Sequence, residues 1–180
     1  NQLVSTTDGV RWSYTPKKYW SNGSTYDFYA MFPYDATKNS FDAQKRWFSV
    51  SNFTVADLTA DQVDLMIAKQ ITNRVAQNTV NFEFNHILSN VNFYFKTAPS
   101  FDGTGINSVE VLEFDVTGLY SKGSFAQSGW NNDMFVGAWT ADNQSTYDMP
   151  MVQNVTYVIN NPGEPLIEDL LLLPQTINDN

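Results

Sequence analysis

Apolar and polar residues alternate along much of this chain, in short segments that are separated by turn residues. The alternation is clearest over residues 79–97, where large apolar side chains recur at every second position in two runs. Because successive side chains of a strand point to opposite faces, each run predicts a half-buried β-strand. We expect the aromatic side chains of these runs to be mostly buried in one core: Phe82, Phe84, Phe93 and Phe95.

Several other segments share this pattern. Residues 12–32 predict a hairpin, because Asn22-Gly23 is a tight-turn dipeptide and Pro33 ends the second strand. Further strands are predicted at residues 46–51, 106–116, 130–139 and 152–159.

Residues 59–71 are compatible with either type of element. Asp57 or Thr59 is placed to cap a short helix, whereas Val63, Leu65 and Ile67 alternate as they would in a strand. With many short strands and at most one short helix, the chain is predicted to be all-β and to form an antiparallel β-sandwich. Its 180 residues suffice for one hydrophobic core.

The last part of the chain carries a second distinctive pattern. Residues 160–165 contain two prolines and a glycine and predict a turn-rich linker, after which four leucines follow in succession. In a strand such a run needs cover on both faces, since an exposed copy would favour association. We therefore expect an extended strand, stopped by Pro174, that docks on the main sandwich or on another subunit. The candidate intersubunit residues are Leu170, Leu171, Leu172 and Leu173.

The charge of the chain argues against several classes of function. Ten Lys and Arg residues against 19 Asp and Glu give a net charge of −9, so the protein repels phosphate backbones and anionic lipid headgroups. We expect no nucleic-acid partner. The absence of cysteine excludes disulfides, thiolate nucleophiles and Cys-ligated zinc. The composition is poor in charged residues and rich in aromatic ones, which suits an exported β-protein.

His86 is the only histidine, so any nucleophilic triad would depend on this residue. It lies in an apolar stretch, and we expect a structural histidine, hydrogen-bonded at a strand corner. The chain is accordingly predicted not to be an enzyme, with no catalytic, cofactor-binding or metal-binding residues.

Carboxylates are the abundant titratable groups, and they form two clusters along the sequence. The first cluster is Asp57, Asp61 and Asp64, and the second is Glu110, Glu113 and Asp115. The first lacks the spaced pattern of a calcium loop, so capping of loops is favoured over calcium binding. The second lies on a predicted alternating strand, where a solvated face is favoured over the paired acids of a glycoside hydrolase.

Five aromatic residues raise the question of carbohydrate binding. They are Trp12, Tyr14, Tyr19, Trp20 and Trp130. Flat aromatic faces can pack on pyranose rings, but strand alternation also buries about half of such residues without any ligand. Core or subunit interface is favoured over a glycan site, and an extracellular glycan-binding module remains the alternative function.

Several segments, in this order, resemble the fimbrillin-like pilins and anchor proteins of Bacteroidetes type V pili. They are W-S-Y-T-P-K-K-Y-W at 12–20 with Y-D-F-Y-A-M-F-P at 26–33, Q-V-D-L-M-I-A at 62–68, V-N-F-E-F-N-H-I-L-S-N-V at 80–91 and L-L-L-L-P-Q at 170–175. The resemblance covers residues 12–175, most of the chain.

The resemblance implies a transthyretin-like sandwich and a structural or adhesive subunit of a fimbria at the bacterial surface, exported as a lipoprotein precursor. Subunits of such pili polymerise when a strand of one completes a groove in its neighbour. The implied partners are other pilus subunits, of the same or a different sequence, together with host or bacterial surface glycans and proteins. Contact with the outer membrane is expected only through the lipid anchor of the precursor, and no cofactor is expected.

The resemblance also shapes the expected domain organisation. Family members carry one or two strands before the segment at 12–20 and a second sandwich domain after the segment at 170–175. We therefore expect a sandwich domain over residues 1–161 that lacks its first strands. Residues 162–180 are expected to be a linker and a strand that either begins a second domain or docks on the sandwich.

Overall fold

The computed structural model describes residues 2–76, 79–96, 108–142, 146–158 and 164–176. The described chain is almost entirely β-strand, with one 3₁₀ turn at Thr59–Asp61. In chain order the strands are β1 (Ser5–Thr6), β2 (Trp12–Ser13), β3 (Tyr26–Phe28), β4 (Met31–Phe32), β5 (Asn39–Asp42), β6 (Trp47–Thr54), β7 (Met66–Ala68), β8 (Ile71–Arg74), β9 (Phe84–His86), β10 (Ser89–Phe95), β11 (Ser108–Tyr120), β12 (Lys122–Asn131), β13 (Met134–Ala141), β14 (Thr146–Val158) and β15 (Glu164–Leu172).

The strands pair in antiparallel sheets. The largest has the order β13-β12-β6-β5, and a three-stranded sheet has the order β4-β7-β9. The remaining pairs are β10 with β15, β11 with β14, β3 with β8, and β1 with β2. The predicted all-β antiparallel sandwich is confirmed.

One hydrophobic core lies between these sheets. Its buried members come from five strands and the segments next to them: Phe48, Val50, Phe53, Val55, Leu65, Ile67, Ile87, Leu88, Leu119, Phe125, Ile167, Leu170, Leu172 and Leu173. The last part of the chain thus contributes to the same core as the central strands.

A bulge in β6 keeps that strand in the core over its whole length. Phe48 and Val50 are buried at even positions, whereas Phe53 and Val55 are buried at odd positions. Asn52 lies between the two pairs with φ +51°, at a register shift where β6 has one more residue than β12. Such an extra residue changes which alternate positions point inward.

The hairpin predicted over residues 12–32 is wrong, although its turn is present. The amide of Ser24 donates to the carbonyl of Ser21 around Asn22-Gly23, but β2 pairs with β1 and β3 pairs with β8. The pairing of β3 with β8 joins segments more than 40 residues apart in sequence, and it depends on tertiary packing, which the local turn signal does not contain.

The single strand predicted at residues 130–139 is in fact a hairpin. Its turn is Asn132-Asp133, with φ +48° and +65°, and it joins β12 to β13. Two successive left-handed residues form the hairpin turn whose twist matches that of the flanking strands, and Asn and Asp adopt this conformation more readily than other non-glycine residues.

The predicted burial of four phenylalanines holds only in part. Phe82 and Phe84 are 39% and 38% exposed. Phe82 precedes strand β9, which begins at Phe84, and the two rings pack on each other and not in the core. Phe93 and Phe95 are half-buried on β10, and Phe93 packs against the core.

The ambiguous segment at residues 59–71 contains both a short turn and two strands. The 3₁₀ turn has Leu58 at its N-cap, so neither of the predicted capping residues, Asp57 and Thr59, occupies that position. Leu65 and Ile67 are buried, and Val63 is 49% exposed. The strand interpretation is correct from Met66 onward.

Candidate intersubunit site

Strand β15 lies antiparallel to β10 and inserts its leucines into the core. Leu170, Leu172 and Leu173 are 0%, 7% and 2% exposed, and Leu171 is half-buried. In register, Leu172 is opposite Ser89 and Leu170 is opposite Val91. The run of leucines thus receives the cover on both faces that its sequence requires.

A second bulge sets which residues of β15 point inward. Ile167 and Leu170 are both buried although they differ in parity, and Asp169 between them has φ +58°. Two side chains of β10 bind the bulge. The amide of Asp169 donates to Asn92 Oδ1 at 2.7 Å, and Asn90 Nδ2 donates to Asp169 Oδ1 at 3.0 Å. These bonds satisfy groups that a regular ladder would have paired.

Two glutamines fix the strand at its end. Gln62 Oε1 accepts from the amide of Leu171 at 2.7 Å, while Gln62 Nε2 donates to the carbonyl of Ala56 at 3.0 Å. Gln175 reproduces a strand pairing with its side chain: Oε1 accepts from the amide of Tyr120 at 2.9 Å and Nε2 donates to the Tyr120 carbonyl at 3.1 Å.

These glutamines were not predicted as site residues. Both lie in segments that carry the family resemblance, at 62–68 and 170–175. Their position in these segments is the sequence signal that could have identified them. Their partners, Leu171 and Tyr120, are respectively 109 and 55 residues away.

Leu173 packs closely against Gly123, which has no side chain. A Cβ added at Gly123 would lie 3.1 Å from Leu173 Cδ1 and 2.8 Å from the Thr140 carbonyl oxygen. Gly123 therefore allows β15 and the β12–β13 hairpin to approach closely.

Comparison with known families shows to which family this chain belongs. The sequence model of the fimbrillin-like family matches residues 1–180. The chain belongs to the fimbrillin-like family. No match was found among curated proteins or solved structures. Fimbrillins are structural subunits of cell-surface pili, and membership of this family implies that the chain polymerises with other pilus subunits. Among the described residues, no helix has the length and apolarity needed to cross a membrane.

His86 of this fimbrillin-like chain bonds to a carboxylate. Its Nδ1 contacts Asp64 Oδ2, and the buried Ile87 and Leu88 follow it directly. The imidazole itself is 67% exposed. The structure therefore places His86 at a strand corner with a hydrogen-bond partner, but on the surface rather than in apolar surroundings.

The acidic side chains that the structure describes are not gathered into a metal site. Asp57 and Asp61 are exposed, whereas Asp64 is engaged with His86. Glu110 is exposed on β11, and the side chains of Glu113 and Asp115 lie outside the described ones. Within the described residues, no three His, Asp or Glu side chains gather as metal ligands would.

The five aromatic residues do not form one platform. Trp130 packs on Tyr29 next to the core and donates to the Arg46 carbonyl at 3.0 Å. Trp20 stands in a separate ring cluster, and Tyr14 is half-buried. The two exposed members are Trp12 at 53% and Tyr19 at 83%.

Proposed function

We propose that this fimbrillin-like chain is a structural and adhesive subunit of a surface fimbria, and that its subunits join by β-strand complementation. The observation that carries the proposal is the position of β15, whose leucines fill the core while its ladder partner in the described chain is β10 alone. A strand with these features is a removable part of a sandwich.

Exchange of this strand would cost little in contact energy. An identical strand from a second subunit would meet the same groove, with the same bonds to Gln62 and Asn92 and the same apolar floor. The exchanged and unexchanged states therefore bury equal area, and subunit concentration decides between them.

We infer that the subunit is displayed at the bacterial outer membrane surface, held there only through a lipid anchor of the precursor. Its partners are then other pilus subunits of the same or a different sequence. We also propose that the protein acts by binding and not by catalysis. Strand complementation needs no nucleophile and no proton transfer, and the sole histidine is engaged with Asp64.

Engineered cysteines test strand exchange directly, because the chain has none of its own. Asn90 on β10 lies opposite Leu171 on β15. The variants Asn90→Cys and Leu171→Cys are made in separate chains, mixed, assembled and oxidised. If β15 of one subunit pairs with β10 of the next, the mixture gives a covalent dimer between the two variants.

A matched pair elsewhere provides the control. Ser40 and Ser49 are opposite one another in the β5–β6 hairpin, where exchange would require opening a short local turn. Ser40→Cys mixed with Ser49→Cys is expected to give no dimer above background. The proposal is wrong if polymers form while the Asn90→Cys and Leu171→Cys chains stay unlinked, or if the double variant, locked by its own internal disulfide before assembly, polymerises normally.

A glycan-binding module is a second candidate, favoured by the exposed rings of Trp12 and Tyr19. Retention on a glycan array that is lost in both Trp12→Ala and Tyr19→Ala would support it. If the substitutions leave binding to the array unchanged, these two rings are not the glycan-binding site.

A further inference from the structure

Charge is unevenly distributed along this acidic chain. Residues 2–19, which we name the N-terminal arm, hold three of the ten Lys and Arg residues and one of the 19 Asp and Glu. The arm is therefore +2, while the rest of the chain has seven cations against 18 acids and is −11. An electrostatic attraction between the arm and the body of the protein follows.

The arm is also the most exposed part of the described chain that carries large apolar side chains. All of its residues are exposed except the half-buried Thr6 and Tyr14. The exposed fractions reach 80% at Val10 and 83% at Tyr19. Exposed apolar groups combined with charge are typical of a surface that binds another macromolecule.

Local bonds give the arm a defined shape. Asp8 Oδ1 accepts from the amides of Val10 and Arg11, and these bonds, the one from Arg11 first, lower the pKa of Asp8. The arm's only carboxylate is thus turned toward its own backbone. Lys17 Nζ lies 4.9 Å from the centre of the Tyr14 ring, which keeps a cation beside an aromatic face.

The body contains a cleft of complementary character. It has a volume of about 250 Å³, enough for one aromatic side chain, and no residue of the arm lines it. Its apolar lining is provided by Pro33, Phe53, Val63 and Leu65, and two carboxylates lie beside them, Asp35 and Asp61.

One cation also lines the cleft. Hydrogen bonds from Thr37 lower the pKa of Asp35, and the nearby charge of Lys38, which lines the cleft, lowers it further. Asp61 is exposed on the 3₁₀ turn. The cleft therefore has net negative charge around an apolar floor.

We propose that the N-terminal arm of one copy binds the acidic, apolar cleft of a second copy. An aromatic side chain of the arm enters the cleft, and Lys17 and Lys18 face Asp35 and Asp61. Arm and cleft are different surfaces, so this contact is heterologous, and a heterologous contact that does not close generates an open chain of subunits. It is separate from the exchange of β15.

Sedimentation velocity of the full chain tests the proposal. Between ~0.01 M and ~1 M salt the Debye length falls from ~30 Å to ~3 Å, so self-association should weaken as salt rises. At low salt, the variant Lys17→Glu/Lys18→Glu should associate at least ~10-fold more weakly, since it turns several attractions into repulsions. Asp61→Lys should weaken association from the other side.

Mixing provides the decisive measurement. An equimolar mixture of Lys17→Glu/Lys18→Glu with Asp61→Lys should associate again, because the unaltered arm of the Asp61→Lys chain fits the unaltered cleft of the other chain, and the reversed arm fits the reversed cleft. The control is Lys45→Glu/Lys96→Glu, which makes the same change of net charge at exposed sites outside the arm. Far-UV circular dichroism and thermal melts check that every variant is folded.

Three outcomes overturn the proposal: association that is insensitive to salt and to the arm variant, an equal loss in the control, and no recovery on mixing. A fourth outcome would also overturn it: the full chain binds an acidic polysaccharide such as polygalacturonate through its arm but does not self-associate. The arm would then be a binding site for an anionic glycan. Failure of the cysteine test for β15 combined with success here would reject strand exchange and leave the arm contact standing.

Discussion

At the residue scale, two left-handed residues decide which side chains reach the core. Asn52 in β6 and Asp169 in β15 both have positive φ and both lie at register shifts. On either side of them the buried positions change parity. Asn and Asp tolerate this backbone conformation better than branched residues do.

At Asn52 we predict that valine, although it usually favours strands, destabilises the protein. Replacing it by Val should lower the free energy of unfolding by about 1–3 kcal/mol, because a branched residue is strained at φ +51°. Asn52→Gly should be nearly neutral. Thr54→Val, at an exposed site of the same strand, is the control and should change little. Urea melts measure all three, and an Asn52→Val protein as stable as the parent would contradict the bulge.

Gln175 gives a prediction with a local readout. Its side chain makes two hydrogen bonds with the backbone of Tyr120, so Gln175→Ala should cost about 1–3 kcal/mol and speed hydrogen exchange at the Tyr120 amide. Gln44→Ala, on an exposed turn, is the matched control. Unchanged protection at Tyr120 would show that another group satisfies this amide.

At the element scale, alternation located most strands but not their partners or their bulges. The strand predicted at 46–51 was found from its local alternation, whereas the leucine strand was found from a continuous apolar run that needs cover on both faces. The pairing of β3 with β8 depends on tertiary packing. The turn at Asn132-Asp133 was missed although its residue types were a usable signal.

Gly123 tests how closely these elements must approach. Gly123→Ala would place a Cβ against the Thr140 carbonyl and Leu173, so stability should fall by about 1–3 kcal/mol and exchange at residues 170–173 should accelerate. Gly129→Ala in the same strand has nothing within 4 Å and should be neutral or slightly stabilising. Equal effects of the two substitutions would show that the close packing of β15 on β12 is unimportant.

At the scale of the whole molecule, the sequence predicts the class of function better than it predicts the arrangement of the site residues. The net charge argued against a nucleic-acid partner, and the ordered family segments indicated a pilus subunit. The bonds of Gln62 and Gln175 could be seen only in the folded structure. They join residues that are distant in sequence, and no local pattern records such distances.

The last prediction concerns removal of residues 166–180. This deletion takes Ile167, Leu170, Leu172 and Leu173 out of the core. At about 1.5–3 kcal/mol for each fully buried side chain, the loss is comparable with the whole stability of about 5–15 kcal/mol of a domain. The truncated chain should therefore unfold or aggregate when alone.

A peptide of residues 164–176 added in trans should restore folding, because the groove beside β10 accepts this strand whichever chain supplies it. The matched control peptide carries Leu170→Asn and Leu172→Asn, which keep the backbone bonds but remove the apolar fill. Near-UV circular dichroism and hydrogen exchange at β10 report the recovery. Native protection in the truncated chain without peptide would show that β15 is dispensable, and equal rescue by both peptides would show that the leucines do not determine the fit.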